Sequence, residues 1–245
     1  MPEHRFTTPR PVRLDIRVAG DVDVVTVDGD GSTVALEGSE KAVASTHVEL
    51  VGDRLILEQR RTSRFGFFER LGESLHVRAA IPHGSAVRVV TASGDARLDG
   101  RFAGLDMKSA SGGLVASGEI AGDARAETVS GDLRVARVGG DLTARTVSGD
   151  VEAEAVAGSV SVKSVSGGVR VCELREGKAN VQSVSGDVEL GIASGTSIDV
   201  DAASASGALT SEVPLSATAG GGDAGPTVVI RGNTVSGDVR LFRAA

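Results

Sequence analysis

Hydrophobic and polar residues alternate in short runs along this chain, and glycines interrupt the runs at regular intervals. From Gly122 to Gly167 the glycines lie 9 residues apart. Apolar residues recur two and four positions after each glycine and two positions before the next one; the last set comprises Val138, Val147, Val156 and Val165. Alternation over so few residues, rich in Val, predicts strands of about four to five residues, each closed by a glycine turn.

A longer period overlies these nonapeptides. The tripeptide Ser-Gly-Asp, or a close relative, begins at Ser93, Ser111, Ser130, Ser148, Ser166, Ser185, Ser206 and Ser236. The first six gaps are 18, 19, 18, 18, 19 and 21 residues, and such a period is typical of stacked copies of one small unit. We therefore predict an all-β fold, a parallel β-solenoid with 18-19-residue rungs in which each strand pairs with the equivalent strand of the next rung, about 4.8 Å away.

The residues of the Ser-Gly-Asp corner have structural interpretations. The glycine is expected at a positive φ, and the Asp that follows it is expected to accept backbone N–H groups at the turn. A second Ser or Thr lies two residues before each corner Ser, as in Thr128 and Ser130. Strand alternation would place both hydroxyl columns on one side, with Val or Ala behind them. Hydrogen bonding between rungs is one role for these hydroxyls, and a glycan-contacting face is the alternative.

The repeat divides the chain into two parts. Residues 1–90 are predicted to be an irregular β N-terminal cap with the first rungs, and residues 91–245 the regular Ser-Gly-Asp β-solenoid with a C-terminal cap, together one continuous domain. Residues 219–226 are rich in Gly and predict a loop. The segments 227–231 and 239–242 are expected to close the far end.

One segment departs from this composition and supplies the candidate interaction residues: Arg60, Arg61, Arg64, Phe65, Phe67, Phe68 and Arg70. Aromatic and Arg side chains are the usual anchors of protein interfaces, so this predicted hairpin tip is a candidate docking or oligomer contact. Its Phe residues would alternatively plug the apolar end of the rod, and lipid contact is a third interpretation.

Charge and composition exclude several partners. With 26 basic and 33 acidic residues the net charge is −7, which argues against nucleic acid and anionic membranes. No run approaches 18 apolar residues and no secretory segment follows Met1, so we predict no transmembrane segment and a cytoplasmic location, with a surface location left open.

The sequence offers no catalytic, cofactor-binding or metal-binding residues to name. Calcium-binding nonapeptides need Gly-Gly-x-Gly-x-Asp in each unit, whereas Gly113, Gly168 and Ala208 replace the corner Asp here. His4, His47, His76 and His83 are too dispersed to predict a metal site or a triad. A β-helical enzyme would interrupt the repeat with a cluster of carboxylates, which residues 93–210 do not show. We expect no enzyme and no cofactor.

The motif Thr-Val-Ser-Gly-Asp-Val/Leu resembles the bacterial putative-adhesin β-strand-repeat family of unknown function, the toastrack domain. Matches lie at residues 128–133, 146–151, 164–169, 183–188 and 234–239. The resemblance implies a single-stranded right-handed parallel β-helix without known enzymatic activity, and a role in binding or envelope-associated signalling.

From the residues and the resemblance together we expect a non-catalytic β-solenoid scaffold or protein-interaction module of adhesin-like type. A cell-surface or glycan-binding adhesin is the first alternative, and a β-helical carbohydrate-active enzyme is the second. The expected partner is a protein. The sequence leaves open the identity of this partner, whether the chain associates with itself, and its oligomeric state.

Overall fold

The computed structural model describes residues 3–8, 11–60, 75–213 and 226–244, and these residues form strands with a single short helix, α1 (Glu40–Ala44). In chain order the strands are β1 (Glu3–Thr7), β2 (Arg13–Val18), β3 (Gly20–Val27), β4 (Gly31–Gly38), β5 (Thr46–Val51), β6 (Arg54–Gln59), β7 (Leu75–Pro82), β8 (Ser85–Ser93), β9 (Ala96–Asp99), β10 (Arg101–Ser111), β11 (Leu114–Ile120), β12 (Ala124–Glu127), β13 (Leu133–Val138), β14 (Leu142–Arg145), β15 (Val151–Val156), β16 (Val160–Lys163), β17 (Val169–Leu174), β18 (Gly177–Ser185), β19 (Val188–Ile192), β20 (Ser197–Ser206), β21 (Leu209–Ser211), β22 (Thr227–Ser236) and β23 (Val239–Arg243).

The strands form two ladders that face each other across a thin core. The first ladder runs β5, β6, β2, β8, β10, β12, β14, β16, β18, β22, β20. The second runs β1, β4, β7, β3, β9, β11, β13, β15, β17, β19, β23, β21. One strand of each ladder with the corner between them makes a rung. Apart from the antiparallel pairs of β1, β4 and β5, neighbours are parallel, so the predicted parallel β-solenoid is confirmed.

Stacking buries the alternating apolar residues. In the second ladder Leu133, Val151, Val169 and Val188 lie in register on successive strands, and each is at most 2% exposed. Inward positions hold mainly Val, Leu, Ile and Ala, which fit the narrow space between two ladders. Because each strand is short, the core is built by repetition along the rod rather than by any large side chain.

At both ends the spatial order of the rungs differs from the order of the chain. The β2–β3 rung lies between β6–β7 and β8–β9. At the other end the β22–β23 rung lies between β18–β19 and β20–β21. The expectation that every rung stacks on the next one in sequence is therefore wrong at the ends. Residues 227–231 and 239–242 do not close the rod, because β20 and β21 lie outside them.

Antiparallel strands cover the end of the rod near the N-terminus. Strand β5 pairs with β6 in the first ladder, and β4 and then β1 extend the second ladder beyond β7. Helix α1 begins after Ser39, whose side chain accepts a hydrogen bond from the Ala42 N–H, and buries Ala42 completely. These elements leave Leu55 and Leu57 of β6 fully buried.

The Ser-Gly-Asp corners turn the chain from one ladder to the other. All eight corner glycines have positive φ, as predicted: Gly94, Gly112, Gly131, Gly149, Gly167, Gly186, Gly207 and Gly237. Gly149 has a φ of 139°, and a Cβ placed on it would lie 2.3 Å from the Gly131 carbonyl oxygen of the neighbouring rung. Glycine is therefore required for two reasons: the backbone conformation is one that other residues rarely adopt, and the two rungs approach too closely for a Cβ.

Candidate interaction surface

The predicted Phe-Arg docking segment lies almost wholly outside the described residues. Only Arg60 falls within them, where it is exposed and its backbone N–H donates to the Ser45 carbonyl oxygen at 2.9 Å. Arg61, Arg64, Phe65, Phe67, Phe68 and Arg70 belong to residues 61–74, outside that description. Their docking role stays a prediction.

The hydroxyl columns beside the corners do not share one side as expected. Thr128 continues the inward alternation of β12 and is 6% exposed, whereas Ser130 is exposed on the outside of the corner. The chain bends between them, so strand alternation no longer applies. Part of the inner column bonds between rungs: the Thr128 hydroxyl donates to the Gly112 carbonyl oxygen at 3.2 Å, and the Ser204 hydroxyl to that of Gly237 at 3.0 Å.

The same bend exposes the apolar residue that precedes each corner Ser. Val129, Val147, Val165, Val184 and Val235 are exposed by 53, 47, 47, 49 and 55%, respectively. We call these five residues the valine ridge. The sequence had grouped Val147 and Val165 with Val138 and Val156, but the latter pair is buried at the other corner. Nonapeptide periodicity therefore missed this surface, since residues in equivalent positions face opposite ways at the two corners.

The valine ridge is continuous because the corner serines stack in register. Ser130, Ser148, Ser166, Ser185 and Ser236 pair successively along the rod, and each ridge residue immediately precedes one of them. Five strands at about 4.8 Å make a column roughly 20 Å long. Exposed Ala110 and Ala205 continue it at the two ends.

A shallow groove of about 280 Å³ runs beside the ridge, between it and the outer side of the first ladder. Val129 and Val147 form one wall, and Lys108, Glu127 and Arg145 form the other. Glu127 Oε2 lies 3.0 Å from Lys108 Nζ, and its Oε1 lies 3.3 Å from Arg145 and is also bound by Arg125. The hydrogen bond from Lys108, with Arg125 nearby, lowers the pKa of Glu127 against the opposing effect of its burial. This wall carries an excess of positive charge.

Corner carboxylates line the other side of the ridge, and they bond to the next rung rather than across their own turn. Asp150 Oδ1 accepts the Gly168 N–H at 2.8 Å, and Asp132 Oδ1 accepts the Asp150 N–H at 3.1 Å. In rung order this column is Asp21, Asp95, Gly113, Asp132, Asp150, Gly168, Asp187, Asp238, Ala208. A residue without a carboxylate thus ends every pair of Asp residues, so that negative charges never stack over more than two rungs.

The outer side of the second ladder has a different character. Arg134 lies 3.6 Å from Glu152, and Arg170 lies 3.4 Å from Glu189. Opposite charges thus pair on neighbouring strands, which satisfies them locally. The side chains of the valine ridge are apolar and remain exposed to water, whereas the charges of the second ladder already have partners. The ridge is therefore the more suitable surface for a partner.

A group of one His and two carboxylates lies near the N-terminal end of the rod. His76 Nε2 lies 2.7 Å from Asp23 Oδ2, and its Nδ1 lies 3.9 Å from Glu37 Oε2. Arg78 and Arg97 pair with the same two carboxylates, so the group is an ion-pair network. Within the described ranges no group of three or more His, Cys, Asp or Glu could hold a metal ion. Nor does any helix in them combine the length and apolar character needed to cross a bilayer.

Two solved structures are similar to this one over nearly their whole length. A protein described as a putative adhesin, from Bacteroides fragilis, has 12% sequence identity and a TM-score of 0.55, with 98% of this chain and 96% of that chain covered. A protein described as a putative lipid binding protein, from Parabacteroides distasonis, has 11% identity and a TM-score of 0.56, with 100% and 94% covered. At such identities the likeness shows the fold alone.

Sequence comparison identifies the family. No curated protein matches this chain. The family model Toastrack DUF4097 matches residues 12–242, which include both ladders from β2 to β22 and nearly all of β23. The family is one of unknown function, and the resemblance drawn from the corner motif is confirmed. The chain belongs to the Toastrack DUF4097 family.

Proposed function

We propose that this domain is a non-catalytic interaction module of adhesin-like type that binds a protein partner along the valine ridge. The observation that carries the proposal is the register of five half-exposed Val side chains. Ten large apolar residues are exposed in the described part of the chain, and five of them form this column. Scattered exposed apolar residues are ordinary, whereas a contiguous set rimmed by polar groups is typical of an interaction site.

The chemistry of the ridge favours protein over glycan or nucleic acid. The hydroxyl groups of a glycan would lose water against Val without gaining hydrogen bonds, which costs free energy. The net charge of −7 opposes nucleic acid. A partner with apolar side chains would cover the ridge, and acidic groups on it would fit Lys108 and Arg145 beside the groove. The two similar structures, described as a putative adhesin and a putative lipid binding protein, agree with binding rather than catalysis.

Affinity purification from the native host with three forms of the protein tests this proposal. The ridge variant is Val147→Thr/Val165→Thr/Val184→Thr, because Thr keeps the β-branched shape and replaces one methyl group by a hydroxyl. The control variant is Val25→Thr/Val51→Thr/Val115→Thr, which changes three Val that are 43, 57 and 39% exposed outside the ridge. A protein bound by the wild type and the control, but lost from the ridge variant at unchanged melting temperature, is the expected result.

Retention of every captured protein by the ridge variant would contradict the proposal. Purified wild type is tested in parallel on phosphatidylcholine vesicles and on a glycan array. Binding to either that is lost in the ridge variant and kept in the control would replace the protein partner with a lipid or a glycan. Hydrolysis of a polysaccharide by the wild type would support the enzyme alternative instead.

The Phe-Arg segment remains a second proposed docking site, on the strength of its composition. The variant Phe67→Ser/Phe68→Ser separates docking from plugging of the rod end. If the segment docks, the melting temperature is unchanged while partner capture or self-association is lost. If it plugs the rod, removal of aromatic burial costs roughly 3 kcal/mol or more of the free energy of unfolding. Light scattering paired with thermal melts distinguishes the two.

The cytoplasmic location is also a proposal. Protease added to intact host cells would leave a cytoplasmic protein whole and would digest a surface-exposed one. Digestion would indicate that the protein lies on the cell surface, and the adhesin alternative would then apply.

A further inference from the structure

The last rung of the rod leaves its inward residues only half buried. Strand β20 pairs with β22 and β21 pairs with β23, and no other strand of the described residues pairs with either. Ile198 and Val200 are in register with Val228 and Ile230, which are fully buried, yet both are partly exposed. Leu209 is 49% exposed, while its register neighbour Val239 is 1% exposed. Apolar residues of the core are therefore left partly exposed to water at this end of the rod.

The opposite end shows what completes an outermost rung. There β6 receives β5 on its outer side and β7 receives β4, and the inward residues Leu55 and Leu57 are fully buried. A further strand on β20 would bury Ile198 and Val200 in the same way. It would also pair the backbone N–H and C=O groups on the outer edge of β20.

The outward side chains of β20 indicate which charge an added strand should carry. Asp106 in the middle of this ladder lies in register between Arg88 and Arg125, 3.6 Å from Arg88. On the side towards the middle of the rod, Asp201 lies beside Arg231 of β22 and Asp199 lies beside Val229. On their other side, both carboxylates face the position that an added strand would occupy. Basic residues there would restore the alternation of acidic and basic side chains seen in the middle of the ladder.

We propose that the outer edge of β20 is a strand-addition site for an extended segment of a partner protein in which β-branched apolar residues alternate with Arg or Lys. The apolar residues cover Ile198 and Val200, and the basic residues lie beside Asp199 and Asp201. This site is at the end of the rod and is independent of the valine ridge.

Two other occupants fit this edge less well. A second copy paired antiparallel about Val200 would set Asp199 opposite Asp201 of the other copy, and directly opposed like charges are destabilising. Residues 214–225, which follow β21 in the chain, contain no Lys or Arg and have Leu215 as their single large apolar residue. They cannot provide basic side chains for Asp199 and Asp201.

The test uses two fluorescein-labelled nine-residue peptides, one alternating Val with Arg and one alternating Val with Glu. Fluorescence anisotropy gives the Kd of each for the full chain. The edge variant is Asp199→Lys/Asp201→Lys. The matched control, Glu3→Lys/Glu49→Lys, makes the same change of net charge on exposed strands β1 and β5 at the other end.

We expect the wild type and the control to bind the Arg peptide, and the edge variant to bind it at least tenfold more weakly and to prefer the Glu peptide. On the wild type, the Arg peptide should slow hydrogen exchange of the amides in β20 and leave those of β16 unchanged. This exchange measurement needs no variant, so the proposal stays testable if the edge variant does not fold.

Three outcomes would overturn the inference. Equal weakening in the edge variant and the control would mean attraction to net charge alone. Unchanged exchange in β20 would mean that no strand is added. Dimerisation of the wild type that disappears in the edge variant would make a second copy the occupant. None of these outcomes bears on partner capture by the valine ridge, so the two proposals fail separately.

Discussion

A middle rung and the last rung of this rod share a motif but differ in burial. The β16–β17 rung and the β20–β21 rung both turn at a Ser-Gly corner, with φ values of 139° at Gly167 and 159° at Gly207. Val162 in the middle is fully buried, whereas Val200 at the end is half buried. The alternation of apolar residues is a property of each strand, but burial is supplied by neighbours on both sides. Substitutions should therefore cost most where a rung has two neighbours.

The largest effect is expected for Gly149→Ala in a middle rung. The new Cβ would combine a left-handed backbone conformation with a 2.3 Å approach to the Gly131 carbonyl oxygen, and the predicted loss of unfolding free energy is roughly 3 kcal/mol or more. Gly207→Ala makes a similar approach to Gly237 but should cost less, since the last rung can shift outward. Urea unfolding gives both values.

Gly168→Ala is the control for this experiment. Gly168 lies next to corner Gly167 but lacks a positive φ, and the nearest atoms to its added Cβ are 3.7 Å away. Its substitution should change stability by no more than about 0.5 kcal/mol. Equal losses at Gly149 and Gly168 would refute the assigned corner geometry.

The second effect concerns the core. Val162→Ala removes two methyl groups from a fully buried position and should cost about 2 kcal/mol, because the neighbouring rungs cannot collapse into the space. Val200→Ala, on the half-exposed last strand, should cost less than about 1 kcal/mol. Chemical denaturation of the two variants measures the difference. Similar losses would mean that the end of the rod is covered as fully as the middle.

The third effect tests the carboxylates that join corners. Asp150→Ala removes the acceptor of the Gly168 N–H and should cost about 1 kcal/mol. Asp150→Asn keeps an acceptor oxygen and should restore most of the loss. Asp238→Ala removes the acceptor of the Ala208 N–H in the last rung and should cost less, as that rung contributes fewer contacts. Hydrogen exchange at Gly168 and Ala208 follows each bond directly.

The smallest effect is the pH dependence of Glu127 beside the groove. Since its pKa is lowered in the folded state, the carboxylate stabilises the protein at neutral pH, and this contribution disappears as the pH falls through the lowered pKa. Glu127→Gln should therefore be less stable than the wild type by under about 1 kcal/mol at neutral pH and equally stable in acid. Thermal melts from pH 7 down to pH 3 measure this. A difference independent of pH would contradict the role of Lys108 and Arg125.

The surface beside the Ser-Gly-Asp corners shows where inference from the sequence failed. Alternation placed Thr128 and Ser130 on one side, and the nonapeptide period placed Val147 with Val156. Both inferences assume a strand that continues, but β12 ends at Glu127 and the chain then bends towards Gly131. A pattern of residue types does not record this bend, so the exposed valine ridge could be found only in the structure.

The sequence by itself determined the local features of this protein. Its 18-19-residue period, the β-branched alternation and the Gly-Asp corners are sufficient for the parallel solenoid, since each rung follows from its own residues. The tertiary structure alone decided the order of rungs at both ends, where β2–β3 and β22–β23 are inserted between others. Rungs with nearly identical edges pair almost equally well with one another, so strand propensity cannot rank the alternatives. The observed order leaves β20 with a paired strand on one side only, and its inward residues are therefore only half buried.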